Sequence, residues 1–307
     1  MTAPPPEPRL AAIISERRQL INVAYRLLGS LAEAEDAVQE TYARWYALSP
    51  ARRNAIESPG AWLTTVTSRI CLDQLGSARA RRERYVGPWI PEPLPEPAEW
   101  LSGGAGAPAD PADRVTLDES VSMAFLVVLE SMTPAERVAF ILHDVFGYPF
   151  AEIAGIVGRT PAACRQLASS GRRRSRAAHR LAAPTARQSA LVRDFGKAWQ
   201  ASDIAALVAL LDPDAVITSD GGGQATAARH PVEGAGLVSR FLAGIAARAP
   251  DLTVAERTVN GQPGLIAQRG GTTVTVLAFS IEGDRITRIW AIRNPDKLRA
   301  WSPGRTS

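Results

Sequence analysis

A chain of 307 residues with 46% hydrophobic content is long enough for two or three packed domains, and its formal net charge is only +4. No run approaches the roughly 20 apolar residues of a membrane span, and MTAPPPEPRL lacks the basic-then-apolar order of a signal peptide. Cys71 and Cys164 are too few for a disulfide framework or a Cys-rich zinc site, and His143, His179 and His230 show no metal-ligand spacing. Neither a metal nor a cofactor is expected, and cysteine usage suits the cytoplasm.

Residues 8–85 read as helical. Leu10, Ile13, Ile14, Leu20, Ile21, Val23, Ala24, Leu27 and Leu28 form one amphipathic stretch that ends at Gly29-Ser30. A second helix is predicted over 31–48, with Glu33, Glu35, Asp36 and Glu40 in its first half, where acids also stabilise the helix dipole. Ser49-Pro50 and Ser58-Pro59-Gly60 bracket a loop. A third helix begins near Ala61, turns Trp62, Leu63, Val66, Ile70, Cys71 and Leu75 inward, and runs into Arg79, Arg81, Arg82 and Arg84. Tyr42, Trp45, Tyr46 and Trp62 lie near this basic cluster. Such rings can stack unpaired bases, though most of these four are assigned to the core.

Residues 86–114 interrupt the helices with prolines at 88, 91, 93, 95, 97, 108 and 111. Their charge is acidic: residues 86–118 hold one Arg against six acids. Composition alone describes a linker. Trp89, Ile90, Leu94 and Trp100 are costly to leave in water, however, and imply that the segment docks on a surface.

Within 115–185, the stretch Phe150 to Arg176 has the layout of two short helices around a tight turn. Phe150, Ile153, Ala154 and Val157 make one apolar face. Gly158 suits a left-handed helix end, Thr160 an N-cap and Pro161 the first helical position. Cys164, Leu167 and Ala168 form the inner face of the second helix, while Arg165, Gln166, Ser169, Arg172 and Arg173 face outward. Arg and Gln on such a helix can reach base edges in a major groove, and the basic run beyond it can neutralise phosphates. An ordinary helical hairpin with a solvated basic face fits the same stretch. Gly171 within this helix costs roughly 1 kcal/mol against Ala, which predicts fraying from Arg172 onward.

Residues 188–307 read as helices followed by strands. Helices are predicted over 190–201, 204–211 and 231–247, and strands over 215–219, 252–260, 264–268, 272–281 and 285–293, with turns at Asn260-Gly261 and Gly283-Asp284. An α+β domain of antiparallel strands with one covered sheet face is expected.

Two helical modules in this order bring a family into view. EAEDAVQETYARWY (33–46) and AWLTTVTSRICLDQL (61–75) resemble region 2 of the extracytoplasmic-function sigma factors, and PAERVAFILHDVFGYPFAEIAGIVGRTPAACRQLASSGRRR (134–174) resembles their region 4. The third segment resembles the SnoaL-like branch of the NTF2-like cone. YVGPWIPEPL (85–94), DGGGQ (220–224) and NPDKL (294–298) resemble markers of the sigma-J type, which carries such a domain. The resemblance implies a region 2 helical bundle, a region 4 helix-turn-helix and an α+β cone. It implies RNA polymerase core as partner, with Asp36, Gln39 and Glu40 on the β′ clamp helices. It implies promoter DNA as the second partner. Arg69, Asp73 and Arg79 would approach the −10 element, residues 49–60 would capture a flipped base, and Arg165, Gln166, Ser169, Arg172 and Arg173 would read the −35 element. Gly76 departs from the family, where a basic residue is usual. Trp89, Glu92, Leu94, Asp220, Gly221, Gly222, Asn294, Asp296 and Lys297 are implied as interdomain, regulatory residues. No separate anti-sigma partner and no membrane contact are implied.

Enzymes of the NTF2-like fold use a pocket carboxylate as base, which makes Asp220 the candidate. The third segment offers no Tyr and no convincing His partner for it, so chemistry is not expected and regulation is. Two other readings remain open at this level: a helix-turn-helix factor with a ligand-sensing third domain, and a SnoaL-like isomerase or cyclase fused to a DNA-binding module.

Overall fold

The structure, a computed structural model, describes residues 8–82, 85–95, 122–175 and 185–301. They divide into two compact units: 1–81 with 128–177, and 82–127 with 178–307.

In the first unit, α1 (Pro8–Leu28) ends where Gly29 takes a φ of 71°. Ser30 then caps α2 (Leu31–Ala47) by accepting the Glu33 N–H. Segment 49–60, predicted as a plain loop, contains the short helix α3 (Pro50–Asn54), because Ser49 caps it and Pro50 supplies the first helical φ. Ser58 accepts the Ala61 N–H at the start of α4 (Pro59–Arg82). Leu27 and Leu28 of α1, Ala37 and Val38 of α2, and Leu63 and Cys71 of α4 are buried. The hydroxyls of Thr41 and Thr67 meet at 2.9 Å in this core. Burial pushes the Cys71 thiol well above its ordinary pKa, which suits an inert core residue. The nearby aromatics correct the sequence expectation. Tyr46 is exposed, and Tyr42, Trp45 and Trp62 are only half-buried, with the Trp45 and Trp62 rings 5.2 Å apart.

The helix α5 (Met123–Glu130) leads to α6 (Pro134–Phe140), where Thr133 and Glu136 form a reciprocal capping box. One π-helical turn (Ile141–Val145) follows, then α7 (Phe150–Val157) and α8 (Pro161–Ser175). Ile153 and Ile156 are the buried residues of α7, so the inward face is rotated slightly from the one through Val157.

The second unit begins its sheet domain with α9 (Ala186–Gln200) and α10 (Ile204–Leu210). There follow β1 (Leu211–Asp220), β2 (Val232–Glu233), α11 (Ala235–Arg248), β3 (Thr253–Val259), β4 (Gln262–Arg269), β5 (Thr272–Glu282) and β6 (Arg285–Ile292), closed by a 3-10 helix (Pro295–Trp301). The sheet order is β2-β1-β6-β5-β4-β3. It is mixed rather than antiparallel throughout, because β1 runs parallel to β6, with Ile217 opposite Ile289. The predicted helix over 231–247 is split: Val232 and Glu233 pair with β1, and Gly234 at φ 88° turns the chain into α11.

Strand alternation divides the sheet into two faces. Ile217, Leu265, Leu277 and Ile289 face α9, α10 and α11 through Phe195, Trp199, Leu207 and Leu242. Ile266, Val276, Trp290 and Ile292 face the other way and pack with Ile90, Met123, Leu298 and Trp301. That second face is where the proline-rich segment docks.

Candidate nucleic-acid interface and linker clamp

The helix-turn-helix forms by local capping. Gly158 adopts φ 68°, and Thr160 Oγ1 accepts the Ala163 N–H one turn into α8. Cys164 and Ala168 are buried while Arg165, Gln166, Arg172 and Arg173 are exposed, and Ser169 is half-buried. The Arg165 guanidinium lies 5.3 Å from the Phe150 ring centroid, which holds its stem toward α7. Arg172 donates to Asp144 at 2.7 Å. The predicted fraying at Gly171 does not occur. Gly171 is buried, and a Cβ there would sit 2.8 Å from Phe140 Cβ, so the residue lets α8 approach α6 closely. α8 continues to Ser175. Burial alone would raise the Glu136 carboxyl pKa. Hydrogen bonds from the Ser170 hydroxyl and from the Thr133 N–H and hydroxyl, with the Arg174 charge, outweigh that and hold it below the ordinary value.

Asp36, Gln39 and Glu40 are all exposed at i, i+3 and i+4 on α2, and Glu40 pairs with Arg44 at 2.9 Å. On α4, Asp73 is exposed, and Arg69 Nη2 donates to the Gly155 carbonyl of α7 at 2.8 Å. Tyr148 donates to Thr64 at 3.0 Å, and Arg137 donates to the Leu27 carbonyl at 2.8 Å. Arg26, whose pKa burial pulls down to about 10, lies 5.5 Å from the Phe146 ring. The α1–α4 module and the α6–α8 module are therefore pinned together inside the first unit. The Arg79 side chain lies outside the described residues, as does Trp100.

The second site is a clamp around Asp220, whose side chain has no solvent exposure. Lys297 Nζ donates to Asp220 Oδ2 at 2.7 Å and to the Ile90 carbonyl at 2.5 Å. The Ile90 N–H donates to the same Asp220 oxygen at 3.0 Å. Tyr85 Oη donates to Asp220 Oδ1 at 2.6 Å and accepts from Asn294 Nδ2 at 2.8 Å. Burial, then the hydrogen bond to Asp220 and its charge, push the Tyr85 phenol pKa up, so the ring stays a donor. Lys297 also sits 4.2 Å from the Trp89 ring centroid. Further along, Leu94 exchanges backbone and side-chain hydrogen bonds with Asn260, and Trp301 Nε1 donates to the Pro93 carbonyl at 2.8 Å. Ile90, Leu94 and Glu92 are buried.

Residues 13–81 match the family model of Sigma-70 region 2, and residues 122–174 that of Sigma-70, region 4. The chain is 40% identical over 295 residues to the ECF RNA polymerase sigma factor SigJ of Mycobacterium tuberculosis H37Rv, which covers 92% of this chain and 90% of that one. The chain belongs to the extracytoplasmic-function RNA polymerase sigma factors. It is also 37% identical over 301 residues to the probable ECF sigma factor SigI of M. tuberculosis CDC 1551, covering 96% and 97% of the two chains. The crystal structure of M. tuberculosis SigJ superposes with a TM-score of 0.73 at 34% identity, over 96% of this chain and 99% of that one. The sheet domain is accordingly SnoaL-like, and the protein serves transcription initiation rather than catalysis. Among the described residues no helix is long and apolar enough to cross a membrane.

In this sigma factor, Asp220 is no general base in a pocket. Alternation along β1 sends Ser219 to the helix-covered face and Asp220 to the opposite one, where lysine and tyrosine consume both oxygens. Of the residues singled out in sequence, Trp89, Leu94, Asp220, Asn294 and Lys297 line this docking contact directly. Gly222 donates its N–H to Asp220 Oδ1, and a Cβ there would collide with Asn294. Gly221 has no room for a Cβ beside Ala225. Asp296 stands outside the clamp, bonded to Gln224 and Arg299. Tyr85, Asn260 and Trp301 join the contact without having stood out in the sequence. Tyr85 opens the YVGPWIPEPL motif, so a signal is present there, but its partner lies 135 residues away.

Proposed function

We propose that the SnoaL-like domain governs this sigma factor by holding both ends of the connection between regions 2 and 4. The supporting observation is that residues 85–95 and Met123 are anchored on one sheet face, by the Asp220 clamp and by the apolar cluster around Trp290. Residues 85–95 are then no free spacer, and where they leave region 2 depends on the third domain. RNA polymerase core is contacted through Asp36, Gln39 and Glu40, the −10 element through Arg69, Asp73 and Arg79, and the −35 element through Arg165, Gln166, Ser169, Arg172 and Arg173. Residues 8–85, 115–185 and 188–307 are the corresponding working parts. The protein acts in the cytoplasm with polymerase, and a separate anti-sigma partner is not implied.

Promoter elements centred about 25 base pairs apart lie about 85 Å apart along B-DNA at roughly 3.4 Å per pair. Arg69 bonded to Gly155 at 2.8 Å is incompatible with both modules reaching them. The free chain is therefore a closed form, and polymerase selects an open one. Promoter-specific run-off transcription with purified core polymerase tests the reading. Trp89→Ala and Lys297→Met should both change output from a cognate promoter relative to the intact chain. Equal output from all three proteins would refute the regulatory role. Charge reversal of Asp36 and Glu40 should weaken core binding with an unaltered circular dichroism spectrum, and unchanged affinity would remove that patch from the interface.

A further inference from the structure

On the helix-covered face of the same sheet lies a cavity of about 410 Å³, within the size range of small-ligand sites. Its walls are mainly apolar, with Trp199, Phe241, Ile245, Leu252 and Leu277 among them. The polar groups are of two kinds. Ser219, Thr226 and Thr275 bring hydroxyls, and Arg248, Arg269 and Arg293 bring guanidinium groups. Among the described residues, no Asp, Glu, His, Tyr or Cys lines it. Its hydroxyls have no carboxylate or imidazole beside them in the lining to activate them, so the arrangement suits holding a molecule.

The three arginines differ in how far they are already satisfied. Arg269 is engaged by both oxygens of Asp251, at 3.2 and 2.9 Å. Arg293 is half-buried at the end of β6 and donates one N–H to the Thr226 carbonyl, but its buried Nε has no hydrogen-bond partner. Desolvation lowers its pKa, and an anion beside it would favour the charged guanidinium. Arg248 is exposed on α11 and has no ion-pair partner among the described residues. Arg293 and Arg248 thus both line an apolar cavity that, among the described residues, no carboxylate lines.

We propose that this cavity is a binding site for an amphipathic carboxylate, with the apolar body between Trp199, Phe241 and Leu277 and the carboxylate on Arg293 and Arg248. A lysine or ammonium ligand is disfavoured by the same two cations. An uncharged apolar ligand would bring no acceptor to either guanidinium. Taking roughly the 30 Å³ that a water occupies for each heavy atom, a carboxylate of about twelve heavy atoms would fill the space. A medium-chain acyl acid and a flat aromatic acid share that chemistry. The proposal is independent of the transcription reading, because it concerns binding alone.

Isothermal titration of the full chain tests it with decanoate, 2-naphthoate and the uncharged decanol as probes. At least one acid should bind saturably at one per chain, and decanol at least about tenfold more weakly, the effect of one hydrogen bond to a charged group. The better acid assigns the body as acyl or aromatic. Arg293→Gln should weaken that acid at least about tenfold and leave decanol unchanged. Arg248→Gln, at an exposed position on α11, should weaken it several-fold with little change in the unfolding midpoint. Saturable binding of neither acid overturns the proposal. So does decanol binding as tightly as the acids, or full acid affinity in both variants.

Discussion

In the helical unit Arg165, Gln166 and Arg173 stand exposed on α8, whereas in the sheet unit Asp220 and Lys297 are buried and satisfied by their own chain. The two arrangements suit opposite tasks. A surface that meets phosphates and base edges keeps its charges solvated until the partner arrives. A surface that must hold a segment of chain without releasing it removes its charges from water and surrounds them with hydrogen bonds. The contrast implies that mutating one of these charges should lower stability at the clamp and partner affinity on α8.

The largest effect is expected at the clamp. Asp220→Ala leaves Lys297 buried without its counter-charge and should destabilise the sheet unit by about 3–5 kcal/mol. Adding Lys297→Met should restore part of that loss, because the orphaned charge goes with it. Urea unfolding midpoints of the single and double variants measure the recovery, and a double variant no better than the single would mean the pair is not the source.

Next comes the recognition helix, where the cost should appear in binding instead. Arg165→Ala should lose about 1–3 kcal/mol of DNA affinity at one −35 position if it reads a base. If it touches phosphate only, affinity should fall evenly across sequences and the salt slope by about one. Its folding stability should stay within about 0.5 kcal/mol of the parent. Binding curves on promoter variants at two salt concentrations separate these outcomes.

Two glycines sharpen the comparison within the helices. Gly171→Ala gains about 1 kcal/mol of helix propensity, yet forces a Cβ to 2.8 Å from Phe140. Overpacking of this kind costs about 1–3 kcal/mol, so a net loss is expected. A Cβ added at Gly76 would meet nothing within 4 Å, and Gly76→Ala should stabilise by about 0.5–1 kcal/mol. Thermal unfolding of the two variants should move in opposite directions.

The smallest effect belongs to Glu136, a buried acid at the start of α6 whose pKa is lowered. A depressed carboxyl contributes stability above its unfolded pKa of about 4.3, and that contribution is lost as pH falls through the lower folded value. Glu136→Gln should therefore be less stable than the parent at neutral pH, with the gap closing on acidification below about pH 4. A gap independent of pH would assign the effect to packing.

How much is legible in the chain follows the sequence separation of each interaction. The turn at Gly158, the cap at Thr160 and the capping box at Thr133 are set by residues three or four apart, so the helix-turn-helix can be read directly. The strands and their turns at Asn260-Gly261 and Gly283-Asp284 can be read for the same reason, from period-two alternation between glycine turns. The docking of the proline-rich segment is legible as a cost, since Ile90 and Leu94 have to be covered by something.

The sequence by itself determined the turn and caps of the helix-turn-helix, the outward arginines and glutamine on α8 and the need for a docking surface, because capping, periodicity and hydrophobic cost act locally along the chain. Only the tertiary structure decided what met what. Gly171 reads as a weak point in sequence because its partner, Phe140, lies on another helix. Segment 49–60 hides a helix too short for any periodicity to declare it. Asp220 reads as a candidate base because nothing near it in sequence foretells that β1 pairs in parallel with β6. That pairing brings the Arg293 and Asn294 N–H groups to the Asp220 carbonyl and leaves its carboxylate to Tyr85, Ile90 and Lys297. These are contacts across 73 to 135 residues, where the entropy of closing the loop is offset only by the assembled core, and no local pattern encodes them.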